Sequence, residues 1–139
     1  MFAARMQHVT QVIQPALTAG KWVLCDRFLD ATYAYQGGGR GLPDSLIDPL
    51  AEQVLRIAAP DCVLYLDIPL ETSRTRIEAR GQLDRFEQEG KAFFENILAT
   101  YRARAETLPT HSWIRANQPL SQVQDAIARV LEARFGENL

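Results

Sequence analysis

An aspartate follows each of two short apolar runs that the sequence predicts to be β-strands. Residues 22–25 are followed by Asp26 and Arg27, and residues 62–66 are followed by Asp67. Open parallel sheets bind ligands at the carboxyl ends of their strands, where an aspartate can hold a metal ion or its bound water beside phosphate. Asp67 precedes a predicted helix, so capping that helix is its simpler role. The pair Asp26 and Arg27 instead predicts a joint site for Mg²⁺ and an anionic substrate.

A hydroxyl, an aromatic ring and an amide follow this pair within a few residues. Thr32, Tyr35 and Gln36 fall within one and a half turns if their segment is helical. Such a set can recognise a nucleobase by stacking and hydrogen bonding. The same residues can also form ordinary packing, and their types alone do not separate the two roles.

The glycine-rich run at residues 37–41 is a weak candidate for a phosphate-binding loop. A P-loop needs its glycines after a strand and a Gly-Lys-Ser/Thr tripeptide at the start of a helix. No such tripeptide occurs in the sequence. We therefore interpret the run as a flexible connection that leaves Arg40 exposed.

Four arginines lie within residues 74–85, around a break at Gly81. Arg76 and Arg80 are four residues apart and share a helix face, where like charges repel unless an anion or an acidic group neutralises them. A helix, a break and a second helix with inward-facing arginines can form a lid over polyphosphate. A solvated charged face, with Glu78 and Asp84 as partners, explains the spacing equally well.

Charge and composition exclude several classes of protein. Fifteen basic and 17 acidic residues give a net charge of -2, which does not support a broad surface for nucleic acid or anionic membrane. The longest apolar runs are far shorter than the roughly 18 residues of a membrane-spanning helix. Cys25 and Cys62 lie in apolar runs, which favours reduced core thiols and a cytoplasmic location. His8 and His111 are too isolated to form a zinc site with them.

The elements that must position these residues alternate along the chain. Apolar residues at helical spacing predict a helix over residues 2–17, kinked by Pro15, and further helices over 43–58, 69–80, 87–108 and 120–135. Strands are predicted over residues 22–25, 62–66 and 112–115. Strands that are apolar on both faces and alternate with helices predict one three-layer α/β domain with a parallel sheet, spanning residues 1–139. Only three strands are visible, whereas such domains normally contain about five.

Five motifs together resemble bacterial thymidylate kinase. They are Phe-Ala-Ala-Arg at 2–5, Asp-Arg-Phe at 26–28, Tyr-Gln-Gly-Gly-Gly-Arg-Gly at 35–41, Tyr-Leu-Asp at 65–67 and Ala-Arg-Gly-Gln-Leu-Asp-Arg-Phe-Glu-Gln-Glu at 79–89. Their order and spacing fit that family over essentially the whole chain. The resemblance implies a P-loop kinase fold and a cytoplasmic homodimer. It also implies transfer of the γ-phosphoryl group of ATP to dTMP with Mg²⁺, without nucleic-acid or membrane partners.

The resemblance also implies roles for individual residues. Asp26 is similar to the carboxylate that organises the water bound to Mg²⁺, and Arg27 to the arginine at the transferring phosphates. Phe2 is the ring available for stacking one turn before Arg5. The implied contacts with dTMP come from Phe2, Arg5, Arg27, Thr32, Tyr35 and Gln36. The implied lid covers about residues 76–87, where Arg80 is the catalytic arginine and Arg76 and Arg85 are lesser candidates at the ATP phosphates.

The family's P-loop and central first strand lie upstream of the point that matches Met1. We therefore expect the N-terminal strands to be absent from this chain, and the 139 residues alone to be inactive. Two alternatives stay open at this point. One is a related nucleoside or nucleotide kinase with another base preference, and the other is a non-catalytic nucleotide-binding or interaction module.

Overall fold

The computed structural model describes residues 1–80 and 90–136, which form two compact units. Unit 1 contains Met1–Asp61 and Ala92–Tyr101, and unit 2 contains Cys62–Lys91 and Arg102–Leu139. The assignment of the whole chain to a single domain remains a prediction. No helix within the described ranges is long and apolar enough to cross a membrane.

Unit 1 begins with a helical segment that widens in its middle. Helix α1 (Phe2–His8) continues through a π-helical turn (Val9–Ile13) into α2 (Gln14–Thr18). Pro15 lacks the N–H that would bind the carbonyl of Gln11, and a π-turn is one way for a helix to absorb such a lost bond. The structure thus has a π-helical turn just before Pro15, and the kink itself stays a prediction.

The rest of the core of unit 1 comes from three segments. They are α3 (Leu29–Thr32), a π-helical segment (Tyr33–Gly39) and α4 (Asp44–Leu55). Pro43 is the N-cap of α4 and lies just before its first turn. One buried cluster joins these segments to the first helix, and its members are Val9, Ile13, Leu29, Tyr33, Ile47, Ala51 and Val54.

Unit 2 contains a parallel pair of strands. β1 (Val63–Asp67) pairs with β2 (His111–Arg115) in a register that sets Val63 opposite His111. α7 (Leu120–Phe135) packs on β2, where Val123 and Ile114 are buried. The remaining helices are α5 (Leu70–Arg80) and α6 (Lys91–Thr107), and α6 has residues in both units. The parallel sheet of a small α/β protein is thus confirmed.

Two expectations near Asp26 and Asp67 are wrong. Residues 22–25 are not a strand: Trp22 is 65% exposed and Leu24 is 100% exposed. A strand needs a neighbour to pair with its backbone groups, and in the described part of the chain only β1 and β2 pair. Asp67 is the last residue of β1, whereas α5 begins at Leu70, so Asp67 does not occupy the cap position.

Candidate functional site

Arg5 is held in a fixed position in unit 1. Its Nη1 donates a hydrogen bond of 2.8 Å to the hydroxyl of Thr32, and its Nη2 donates one of 3.1 Å to the carbonyl of Phe28. The rings of Phe2 and Phe28 each lie 5.7 Å from the guanidinium carbon. Burial lowers the pKa of Arg5, while the nearby Cys25 thiol acts in the opposite direction. The α1 and α3 segments therefore present a preorganised cation flanked by two rings.

Thr32 is the buried hydrogen-bond partner of this cation. Its side chain is only 1% exposed, and besides accepting the bond from Arg5 its hydroxyl donates weakly to the sulfur of Met1 at 3.9 Å. α3 begins one residue after Phe28, so the carbonyl of Phe28 and the hydroxyl of Thr32 lie about one helical turn apart. This spacing explains how one short helix can supply both acceptors of Arg5.

Arg27 has a backbone conformation that is rare for its type. It is the only residue other than glycine with a positive φ in the described ranges, at 60°. A left-handed conformation costs a non-glycine residue about 1–3 kcal/mol and concentrates at functional sites. Both Asp26 and Arg27 are exposed. Burial raises the pKa of the neighbouring Cys25 thiol, Arg5 acts in the opposite direction, and Asp26 adds a smaller effect that raises it.

The guanidinium of Arg27 lies over an aromatic ring. Its guanidinium carbon lies 5.7 Å from the centroid of Tyr35, within the range of a cation–π contact. Tyr35 in turn meets Phe93 of α6 edge to face, with the ring centroids 6.2 Å apart. Gln36 follows Tyr35 in the same π-helical segment and is half-buried. The structure thus brings Arg27 and Tyr35 together, as it does Phe2, Arg5 and Thr32.

Gly38 and Gly39 of the glycine run pack closely instead of forming a flexible connection, so that expectation is wrong for these two residues. A Cβ atom on Gly38 would lie 2.8 Å from the carbonyl oxygen of Asn96, and one on Gly39 would lie 2.5 Å from Cε2 of Phe93. Only residues without a side chain allow α6 to approach this closely. Arg40 is exposed, as expected, and its guanidinium carbon lies 6.0 Å from the centroid of Phe93.

Tyr101 belongs to the same neighbourhood, although the sequence analysis missed it. Its pKa is raised to about 12, mainly by burial and also by Tyr35, while Arg27 acts in the opposite direction. Asp30 and Asp26 add smaller effects that raise it. A signal was present in the sequence: positions 93, 97, 100 and 101 share one face of α6.

Asp26 supplies one exposed carboxylate that could serve a magnesium ion held mainly by other ligands. Within residues 1–80 and 90–136 no group of three or more histidine, cysteine, aspartate or glutamate side chains could hold a metal ion. Mg²⁺ commonly keeps several waters and binds one or two carboxylates together with substrate phosphates. The exposed carboxylate of Asp26 meets that requirement as an oxygen ligand or as an acceptor for bound water.

The predicted lid lies mostly outside the residues that the structure describes. Arg76 is exposed on α5, and Arg80 is the last residue of that helix. The rest of the lid, which includes Arg85, falls in residues 81–89, which the structure does not describe.

Comparison with known proteins identifies related sequences. The family model for thymidylate kinase matches residues 1–127. A curated thymidylate kinase of Teredinibacter turnerae is 53% identical over 134 residues, which cover 96% of this chain and 65% of that protein. One of Alcanivorax borkumensis is 50% identical over 133 residues, covering 95% of this chain and 64% of that protein. One of Pseudomonas savastanoi pv. phaseolicola is 52% identical over 141 residues, which cover 98% of this chain and 67% of that protein. The chain thus spans 64–67% of the length of these relatives.

Proposed function

The chain belongs to the thymidylate kinase family, and from that premise we propose that its full-length protein transfers the γ-phosphoryl group of ATP to dTMP, giving dTDP and ADP. By full-length protein we mean the product of the complete reading frame that encodes these 139 residues. We further propose that it is a cytoplasmic homodimer with a three-layer P-loop kinase fold.

The observation that carries this proposal is the fixed position of Arg5. A guanidinium has five N–H donors in one plane, and the bonds to Thr32 and Phe28 set the orientation of that plane. Planar donors suit the carbonyl oxygens of a pyrimidine or the oxygens of a phosphate. Phe2 lies beside this cation and supplies an apolar face for the base. Thr32 then acts on dTMP through Arg5.

Asp26 and Arg27 act at the phosphates in this proposal. Arg27 stabilises the charge that spreads over the transferred phosphoryl group, and the Tyr35 ring limits where its guanidinium can lie. Asp26 would hold Mg²⁺ through a water molecule. When bound with ATP, the metal ion would neutralise charge on the β- and γ-phosphates. Gln36, next to Tyr35, is proposed to contact the nucleoside of dTMP.

The second set of charges comes from the lid. We propose that Arg80 stabilises the ATP phosphates in the transition state, with Arg76 and Arg85 in supporting roles. An arginine that arrives only when the nucleotide is enclosed lowers the barrier more than it tightens substrate binding.

Initial rates with three acceptors test the proposed function. The full-length protein is assayed by coupled ADP release with ATP and Mg²⁺, using dTMP, dUMP and dCMP in turn. Loss of one methyl contact costs about 1–3 kcal/mol, so dUMP is expected to be a poorer substrate but not an inactive one. Equal kcat/KM for dCMP and dTMP would instead support a kinase of another base preference. Binding without turnover of any acceptor would support a non-catalytic module.

Arg5→Lys and Arg129→Lys form a matched pair for the same assay. Arg5→Lys keeps the charge but loses the planar donors, so the KM for dTMP is expected to rise. Arg129 is exposed on α7 and serves as the control, for which no change is expected. Equal effects of the two substitutions would remove Arg5 from the proposed site.

A further inference from the structure

Phe93 lies at a junction of unit 1 that the sequence motifs do not include. Its ring meets Tyr35 edge to face at 6.2 Å and Phe94 at 5.5 Å. The guanidinium carbon of Arg40 lies 6.0 Å from its centroid, and Gly39 lies directly against its edge. The half-buried Phe93 ring of α6 therefore lies against three residues of the neighbouring segment, namely Tyr35, Gly39 and Arg40.

Three side chains contact one another in sequence: Arg27 contacts Tyr35, and Tyr35 contacts Phe93. The guanidinium of Arg27 lies over Tyr35, and the Tyr35 ring is set at 72° to the ring of Phe93. A cation–π contact depends on which way the face of the ring points, so the tilt of Tyr35 decides where Arg27 can rest. The edge-to-face contact with Phe93 favours one such tilt.

Gly39 makes this arrangement possible. A Cβ atom at this position would lie 2.5 Å from Cε2 and 3.1 Å from Cζ of Phe93, too close for the ring to stay where it is. The absence of a side chain at position 39 thus brings Phe93 within reach of Tyr35. Gly39 thus leaves room for the Phe93 ring, and the position of that ring sets the orientation of Tyr35.

We propose that Phe93 is a positioning residue for Arg27 and acts through Tyr35. This inference rests on the proposed function, because the role of Arg27 at the transferred phosphoryl group belongs to it. In this proposal Phe93 itself touches no substrate. If its ring is lost, Tyr35 turns more freely and Arg27 spends less time where charge develops in the transition state.

Kinetics on the full-length protein test the proposal first. Phe93→Leu is expected to lower kcat about 10-fold with a smaller change in the KM for dTMP. Gly39→Ala displaces the ring without removing it and is expected to lower kcat in the same way. Phe135→Leu on α7 and Gly90→Ala, a glycine with open space around it, are the matched controls. Loss of kcat in the controls as large as in Phe93→Leu would overturn the proposal.

A double-mutant cycle separates positioning from general damage to the fold. If Phe93 acts through Tyr35, Phe93→Leu lowers kcat in the parent but has no further effect in a Tyr35→Leu background. Equal effects in both backgrounds would show that Phe93 acts independently of Tyr35 and would overturn the proposal.

An NMR measurement decides the same point without any turnover. The guanidinium carbon of Arg27 lies 5.7 Å from the Tyr35 centroid, so ring current from Tyr35 is expected to shift the Nε–Hε resonance of Arg27 in the parent. Phe93→Leu is expected to move this resonance toward its position in Tyr35→Leu, whereas Phe135→Leu leaves it in place. An unmoved resonance in Phe93→Leu would overturn the positioning role. If the parent does not phosphorylate dTMP, the proposed function is wrong, and this resonance still decides whether Phe93 positions Arg27.

Discussion

The guanidinium of Arg5 donates a 2.8 Å hydrogen bond to the hydroxyl of Thr32, which lies 27 residues further along the chain. Thr32 is 1% exposed, whereas Arg5 is only half-buried, so the threonine supports the arginine from the interior. A hydrogen bond to a charged group contributes about 1.5–3 kcal/mol, more than a bond between neutral groups. The position of Arg5 therefore depends on a hydroxyl that a ligand need not touch.

Substitution of Thr32 by valine tests this dependence. Thr32→Val keeps the shape but removes the acceptor, so Arg5 loses its orientation and the KM of the full-length protein for dTMP is expected to rise roughly 10-fold or more. Thr32→Ser retains the hydroxyl and is expected to stay within a few-fold of the parent. Thr107→Val, at an exposed threonine of α6, is the control for general effects of the substitution. Equal KM values for Thr32→Val and Thr32→Ser would contradict the prediction.

Arg80 is expected to act mainly in the transition state. Arg80→Ala in the full-length protein is predicted to lower kcat by about 10³-fold or more, because the transition state loses the charge that Arg80 supplies at the phosphates. The affinity for dTMP, measured by calorimetry without ATP, is expected to change little. Arg129→Ala provides the matched control on α7. A kcat within a few-fold of the parent would remove Arg80 from the catalytic set.

Tyr101 is predicted to titrate unusually late. Burial raises its pKa from 10.0 to about 12, so the folded state holds the phenolic proton more tightly than the unfolded state does. The stability that this contributes is fully present below pH 10 and is lost as the pH rises through about 12. The absorbance of tyrosinate near 295 nm follows the titration, and the difference between the parent and Tyr101→Phe isolates this one group. A difference curve with its midpoint near pH 10 would contradict the prediction.

The 139-residue chain by itself is predicted not to catalyse phosphoryl transfer. It contains no Gly-Lys-Ser/Thr tripeptide, and positioning and charge stabilisation by such a phosphate cradle supply most of the rate in this chemistry. Coupled ADP release with ATP, Mg²⁺ and dTMP is measured on material whose intact mass confirms its length. Turnover near 1 s⁻¹, the low end of the range for kinases, would show that the cradle lies within these residues.

The sequence predicted well the elements that local pattern specifies. The strand expected over residues 62–66 is observed at Val63–Asp67, and the one over 112–115 at His111–Arg115. The last helix has the predicted bounds, Leu120–Phe135. Apolar periodicity and turn residues act over a few neighbours, so they can be seen in the sequence directly. The motif around Asp26 and Arg27 also pointed to the part of unit 1 where the candidate site is found.

Only the tertiary structure decided how those parts are used. Residues 22–25 have the composition of a strand but belong to no β-sheet in the described part of the chain. Gly38 and Gly39 look like part of a flexible or phosphate-binding run, yet their lack of side chains allows α6 to pack closely against them. Thr32 accepts a hydrogen bond from Arg5, a partner that its sequence motif does not reveal, and its contact with dTMP stays a prediction. Strand pairing, close approach and hydrogen-bond partners are set by residues distant in the sequence, so composition and spacing alone do not determine them.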